Sequence, residues 1–140
     1  MKIIPGVGKV LSIVIDCEVG DIDRFISAKN FSSYCGTVPK VKGSGGKFHY
    51  GKMLKQCNDL KWAFIEAANV IVRQRHHPRW RDKYVTRLYE SIRQRKGHSV
   101  AVGAVARYLS EATFWVMKKR EAYREPRPRR VLSKQEQARA

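Results

Sequence analysis

Leu60, Phe64, Ala67 and Ile71 recur at the spacing of one face of an α-helix, with Ala63 and Val70 alongside. Such a stripe has to be buried against other elements, so it predicts an amphipathic helix from Leu60 to about Gln74. His77-Pro78 interrupts the pattern, because proline lacks the amide that a helix interior needs and is tolerated only at a helix start. Tyr84, Leu88 and Ile92 then repeat at i, i+4 until Lys96-Gly97, with Tyr84 on the expected core side. After that stop Val100, Ala104, Val105, Tyr108, Ala112 and Trp115 trace a third helix ending near Lys119, whose small residues let a neighbour approach closely. Three such helices closing one small core make the expected fold all-α.

The segments on either side are shorter. Ile4-Pro5-Gly6-Val7-Gly8 is a turn, and the apolar run Lys9 to Ile15 fits a helix or a buried strand by periodicity alone; the preceding turn favours helix. Gly20-Asp21 breaks that run, and Ser27 is the expected N-cap of a short helix through Phe31 and Tyr34 that Gly36 stops. Residues 3–36 therefore read as a helix-hairpin-helix-like unit. From Val38 to Leu54 the glycines at 43, 45, 46 and 51 and Pro39 alternate with Lys40, Lys42, Lys47 and Lys52, followed by Lys55, with no acid among them. An exposed basic loop is expected over 37–55, a helical core over 56–123, and a disordered basic tail over 124–140, where Arg-Glu-Pro-Arg-Pro-Arg-Arg begins.

Charge narrows the partners. Twenty-nine Lys and Arg stand against 12 Asp and Glu, a formal net charge of +17 on 140 residues. That excess creates a long-range field for polyanions, and nucleic acid is the first of them. No apolar run reaches about 18 residues and no secretory signal pattern is present, so no membrane partner is expected and the cytoplasm is the expected location. Cys17, Cys35 and Cys57 form no C-x-x-C pair, and the adjacent His76 and His77 cannot face one ion as an i, i+4 pair does, so no metal site is expected in this chain.

Three constellations fit phosphate chemistry. The first is the Ile4 to Gly8 turn, where Gly6 and Gly8 would let the backbone, with Lys9, approach a phosphate at the following helix start. It is not a P-loop, since Gly8-Lys9 is followed by Val10. The second is Lys42-Gly43-Ser44-Gly45-Gly46-Lys47, in which a serine hydroxyl stands among cations that could stabilise a pentacovalent phosphate; on composition alone, however, a serine among glycines is a turn residue. The third is the basic strip Arg73, Arg75, Arg79, Trp80, Arg81, Lys83 and Arg87, continuing to Arg93, Arg95 and Lys96, with Asp82 and Glu90 as its only acids. Tyr84 and Tyr89 lack the arginine and histidine companions that a recombinase tyrosine needs.

The order of motifs adds more than any one of them. Ile4-Pro5-Gly6-Val7-Gly8, Gly20-Asp21-Ile22-Asp23-Arg24-Phe25, Ser27-Ala28-Lys29 and Tyr34-Cys35-Gly36-Thr37-Val38-Pro39 are followed by Ser44-Gly45-Gly46-Lys47, Gly51-Lys52-Met53 and the run from Leu60 to Ala68. As an ordered set this resembles the C-terminal domain of the insertion sequence 110 family of transposases, the RNA-guided DNA recombinases. The resemblance implies a two-part active site, in which an acidic RuvC-like N-terminal domain holds a divalent metal, Mg, and the serine corresponding to Ser44 becomes joined to DNA. It also implies DNA and a guide RNA as partners and a homo-oligomer for the full-length protein. Lys42 and Lys47 are expected phosphate contacts by position and charge. Because the chain opens at Met1 on the turn motif, without the acidic domain, it is expected not to transpose alone. Lys55-Gln56-Cys57-Asn58 departs from the family's Lys-x-Gly-Asn in lacking the glycine.

Overall fold

The computed structural model describes residues 4–53 and 58–126. The chain runs through α1 (Lys9–Val19), a single 3-10 turn (Ile22–Arg24), α2 (Ala28–Tyr34), β1 (Pro39–Ser44), β2 (Lys47–Met53), α3 (Asn58–Arg73), α4 (Pro78–Arg81), α5 (Tyr84–Lys96) and α6 (His98–Lys119). The body is all-α, as the periodicity implies, and α6 is its central element, packing on α2, α3, α5 and the 3-10 turn.

The entry turn is dictated by its two special residues. Val7 N–H donates to the Ile4 carbonyl at 3.1 Å, with Pro5 second in the turn and Gly6 third at φ +75°, the arrangement of a type II turn. Gly6 is required for a second reason. A Cβ built there would lie 2.3 Å from the Ala67 carbonyl oxygen, so the turn rests directly on the backbone of α3. Ile4 and Val7 are buried on either side of it, and Ile15 and Val19 carry the contact along α1, which settles the apolar run as helix.

Ser27 caps α2 as its position predicts, its Oγ accepting from Asn30 N–H at 3.2 Å. At the other end Gly36 adopts φ +69°, Thr37 N–H donates to Ser32 C=O at 3.1 Å and Gly36 N–H to Ser33 C=O at 3.0 Å, which together form a Schellman motif. The motif turns the chain toward α6, where a buried hydroxyl cluster fastens it. Ser110 Oγ lies 2.8 Å from Ser32 Oγ and 2.9 Å from Thr37 Oγ1, Thr37 donates to Ser32 C=O at 3.0 Å, and Ser110 donates to Arg107 C=O at 2.7 Å.

The expected basic loop needs correction. The segment 37–55 is not a loop throughout: β1 and β2 form an antiparallel hairpin, with Ser44 opposite Lys47, Gly43 opposite Phe48 and Val41 opposite Tyr50. Gly45 and Gly46 both take positive φ, +57° and +76°, which is the two-residue type I′ turn whose twist matches that of paired strands. The alternation of Lys and apolar residues on each side of Gly-Gly carries this hairpin; the density of glycine and lysine obscures it.

The third helical stripe is also out of phase. On α6 Val100 and Trp115 are each 50% exposed, and the buried face runs through Ala101, Val105, Ala106, Leu109, Thr113 and Phe114. Its polar members belong there because each is satisfied, Thr113 Oγ1 donating to Leu109 C=O at 2.8 Å. On α5 the deepest residues are Val85 and Tyr89, one position on from the expected Tyr84 and Leu88, which are only partly buried. The α3 stripe holds at every position from Leu60 to Ile71, and Phe31, Phe64 and Phe114 meet in the centre with ring centroids 6.5 and 6.0 Å from Phe31.

The chain expected to be disordered from Arg124 is described through Pro126; residues 127–140 lie outside the described residues.

Gly6→Ala is expected to destabilise the domain by more than about 1 kcal/mol in urea unfolding, because both the φ and the Ala67 contact resist a Cβ. Ser110→Ala is expected to cost about 1–3 kcal/mol by leaving Ser32 and Thr37 without their shared partner, whereas Ser99→Ala on the exposed start of the same helix should change stability by less than about 0.5 kcal/mol.

Candidate nucleic-acid interface

The entry turn and α4 meet at an open cleft of about 680 Å³, to which Gly6, Gly8, Lys9, Arg79, Trp80 and Lys83 contribute. Each side is built locally. Gly8 is the extended N-cap of α1 with no side chain to satisfy the first amides, and no acid stands in that first turn. Gly8 is exposed and a Cβ there would meet nothing within 4 Å, so of the two glycines it is Gly8 that faces open space and Gly6 that faces the core. Across the cleft α4 is a single turn set by His77, whose Nδ1 accepts from Arg79 N–H at 3.2 Å, and by Pro78 at its first position. Lys83 N–H and Thr86 Oγ1 both donate to the Trp80 carbonyl, at 3.0 and 2.8 Å, which anchors this turn to α5.

A third wall comes from beyond α6. After Arg120, in the left-handed region at φ +53°, the chain folds back so that Tyr123 hydroxyl meets Tyr108 hydroxyl at 2.9 Å. Glu125 accepts from Tyr84 N–H at the start of α5 and lies 4.0 Å from Lys83 Nζ. Burial, chiefly, pushes both phenols above the ordinary tyrosine range, and for Tyr123 the shared hydrogen bond adds to it. Tyr123 and Glu125 line the same cleft as Lys9 and Arg79. Their proline- and arginine-rich surroundings conceal them in the sequence; the one signal is an aromatic residue in an otherwise charged stretch.

Most acids of the helical body are matched locally. Glu90 takes Arg75 at 3.3 Å and Arg93 at 3.1 Å, Glu111 takes Arg107 at 3.0 Å, and Asp23 takes Lys118 at 2.7 Å. The Lys118 hydrogen bond, and then its charge, hold the Asp23 carboxyl below the usual range. Arg81 pairs with Asp82 at 3.7 Å and is not among the residues that line the cleft, while Arg79, Arg87 and Lys96 have no carboxylate within salt-bridge distance among the described residues. The cationic excess therefore survives folding and is exposed along α4 and α5.

The remaining predicted residues lie on the hairpin. Lys40 and Lys42 are on β1, Lys47 and Lys52 on β2, and Ser44 is the last residue of β1 beside the Gly45-Gly46 turn; Lys55 lies outside the described residues. The hairpin makes no extended contact with any helix. Gly6, Gly8, Lys9 and Arg79 are thus brought together in one cleft, and Ser44 is not among the residues that line it. Among the described residues no three of His, Cys, Asp or Glu converge as a metal site, and no helix is long and apolar enough to cross a membrane.

Comparison with known proteins joins these features. No solved structure matches the chain. The transposase for insertion sequence element IS1111A of Coxiella burnetii (strain RSA 493 / Nine Mile phase I) is 29% identical over 122 residues, covering 86% of this chain and 33% of that protein. The chain thus spans about a third of the length of the relative that it matches. Residues 1–85, from the entry turn through the hairpin to α4 and the start of α5, match the Transposase IS116/IS110/IS902 family, and over that majority of its length the chain belongs to this transposase family.

Proposed function

We propose that this chain is the C-terminal, nucleic-acid-binding part of a transposase of its family and that it contributes Ser44 as the nucleophile of DNA strand cleavage and joining. The hairpin carries this proposal: Ser44 ends β1 directly opposite Lys47, beside a two-glycine turn, on an arm that no helix covers. A nucleophile that must enter a DNA backbone needs such access, together with cations to take the charge that develops on the phosphoryl oxygens. In the proposed step the Ser44 Oγ–P bond forms and the bond from phosphorus to a sugar oxygen breaks. The serine gives up its proton to a base, and the departing oxygen gains one. Lys42 and Lys47 neutralise the phosphate, and the cleft with Gly6, Gly8, Lys9 and Arg79 holds a second stretch of backbone.

In this reading the divalent metal of the complete reaction, Mg, is held by a RuvC-like acidic domain acting with this one. In the same reading the full-length protein works as a homo-oligomer in the cytoplasm with a guide RNA, the strip from Arg79 to Arg95 being the surface that DNA or RNA would track. The alternative, a binding module in which Ser44 takes no part, draws on one observation: Ser44 is not among the residues that line the cationic cleft, so binding there has no structural need of the serine.

Two measurements separate these. Binding of the purified chain to duplex DNA and structured RNA should weaken steeply with salt, and Arg79→Ala should reduce the slope of log K against log salt by about 1. With an acidic partner domain supplied, Ser44→Ala should abolish the covalent protein–DNA adduct and strand joining while leaving DNA affinity within about twofold. Joining that persists in Ser44→Ala removes the nucleophile role and leaves the binding module.

A further inference from the structure

The cleft between the entry turn and α4 has a feature that holding a duplex backbone does not use. Phosphates along a duplex are met by exposed amides and cations. An aromatic interior adds nothing to that. Here the interior is apolar, Trp80 and Tyr123 stand in its walls, and its volume of about 680 Å³ is of the size that encloses a small organic ligand. Trp80 is fixed through its backbone, whose carbonyl is held by Thr86 at 2.8 Å and Lys83 at 3.0 Å. The Tyr123 hydroxyl is occupied by Tyr108 at 2.9 Å, so what this residue can offer a ligand is its ring. Glu125 is the one acid lining the cleft. Its carboxylate accepts from Tyr84 N–H, lies 4.0 Å from Lys83 Nζ and interacts with Tyr123, and its remaining lone pairs repel a second phosphate and can accept from the amino group of a base. Aromatic walls, a cationic rim and one acceptor match a nucleobase with its own phosphate, and not a run of phosphates alone.

We propose that this cleft receives a single unpaired nucleotide, its base against Trp80 and Tyr123 and its phosphate against Lys9 and Arg79. The proposal rests on the nucleic-acid binding argued above and adds a structural preference to it: single strands, or duplexes with an extruded base, are taken over perfect duplex of the same length.

The test uses the whole chain with Trp62→Phe and Trp115→Phe, which leaves Trp80 as its sole tryptophan. Three probes of equal length are titrated: a single-stranded oligonucleotide, a perfect duplex, and an oligomer of abasic sugar-phosphates. The single strand is expected to quench Trp80 emission and to bind at least about fivefold more tightly than either of the others. Separately, Trp80→Leu keeps apolar bulk without the stacking surface, and should weaken the single strand about tenfold while leaving the duplex within about twofold. Equal affinity for all three probes, or an equal loss for all three in Trp80→Leu, overturns the proposal while leaving cationic binding in place. Failure of every probe to bind overturns both. The three-probe comparison leaves Trp80 intact, so it decides the matter even if Trp80→Leu fails to fold.

Discussion

The hydroxyl of Ser110 is the point on which the arrangement turns. It sits fully buried in the middle of α6 and meets Ser32 from α2 and Thr37 from the segment leading into β1. Three hydroxyl protons are shared among four close contacts there, counting the carbonyls of Ser32 and Arg107, so one contact at a time carries no proton and the cluster depends on all three side chains keeping their places. An apolar contact in the same position would tolerate sliding. The hydrogen-bonded one fixes the direction in which the chain leaves the helical body, and with it the base of the arm that carries Ser44.

That fixed exit explains how one small domain presents two different surfaces. The helical body buries Phe31, Phe64 and Phe114 at its centre, and the two strands of the hairpin contact chiefly each other. Charge is distributed accordingly. Inside the body, acids and arginines neutralise one another over short distances, as Glu90 does with Arg75 and Arg93. The unmatched cations gather on α4 and α5, where Arg79, Arg87 and Lys96 are exposed. Surface pairs of this kind contribute little to stability; their effect is to shape where the field remains.

Much of the body was legible in the sequence, and the failures have physical causes. The α3 stripe is written entirely in apolar residues and could be read at face value. On α6 the buried face includes Ser110 and Thr113, which look like surface residues until their partners on α2 and within α6 itself are known, so the apparent stripe drifted onto Val100 and Trp115. The hairpin was hidden by its composition, since lysine and glycine weigh against strand while the alternation and the Gly-Gly turn argue for it. Ser44 was singled out only through the order of motifs, not through its own neighbourhood. The cleft was beyond reach, because its walls come from Gly8, Arg79 and Tyr123, which only the folded chain brings together.

Gly97 joins α5 to α6 alone, ending one helix and beginning the next at φ +88°. With no loop between them, nothing at that joint can absorb a change of length. One inserted residue within the first turn of α6 would advance everything after it by about 100° around the helix axis. Ser110 would then face away from α2, and Phe114 away from the central aromatic cluster. In this lineage, insertions should accumulate at the hairpin tip or after α6 and be absent at the α5–α6 joint.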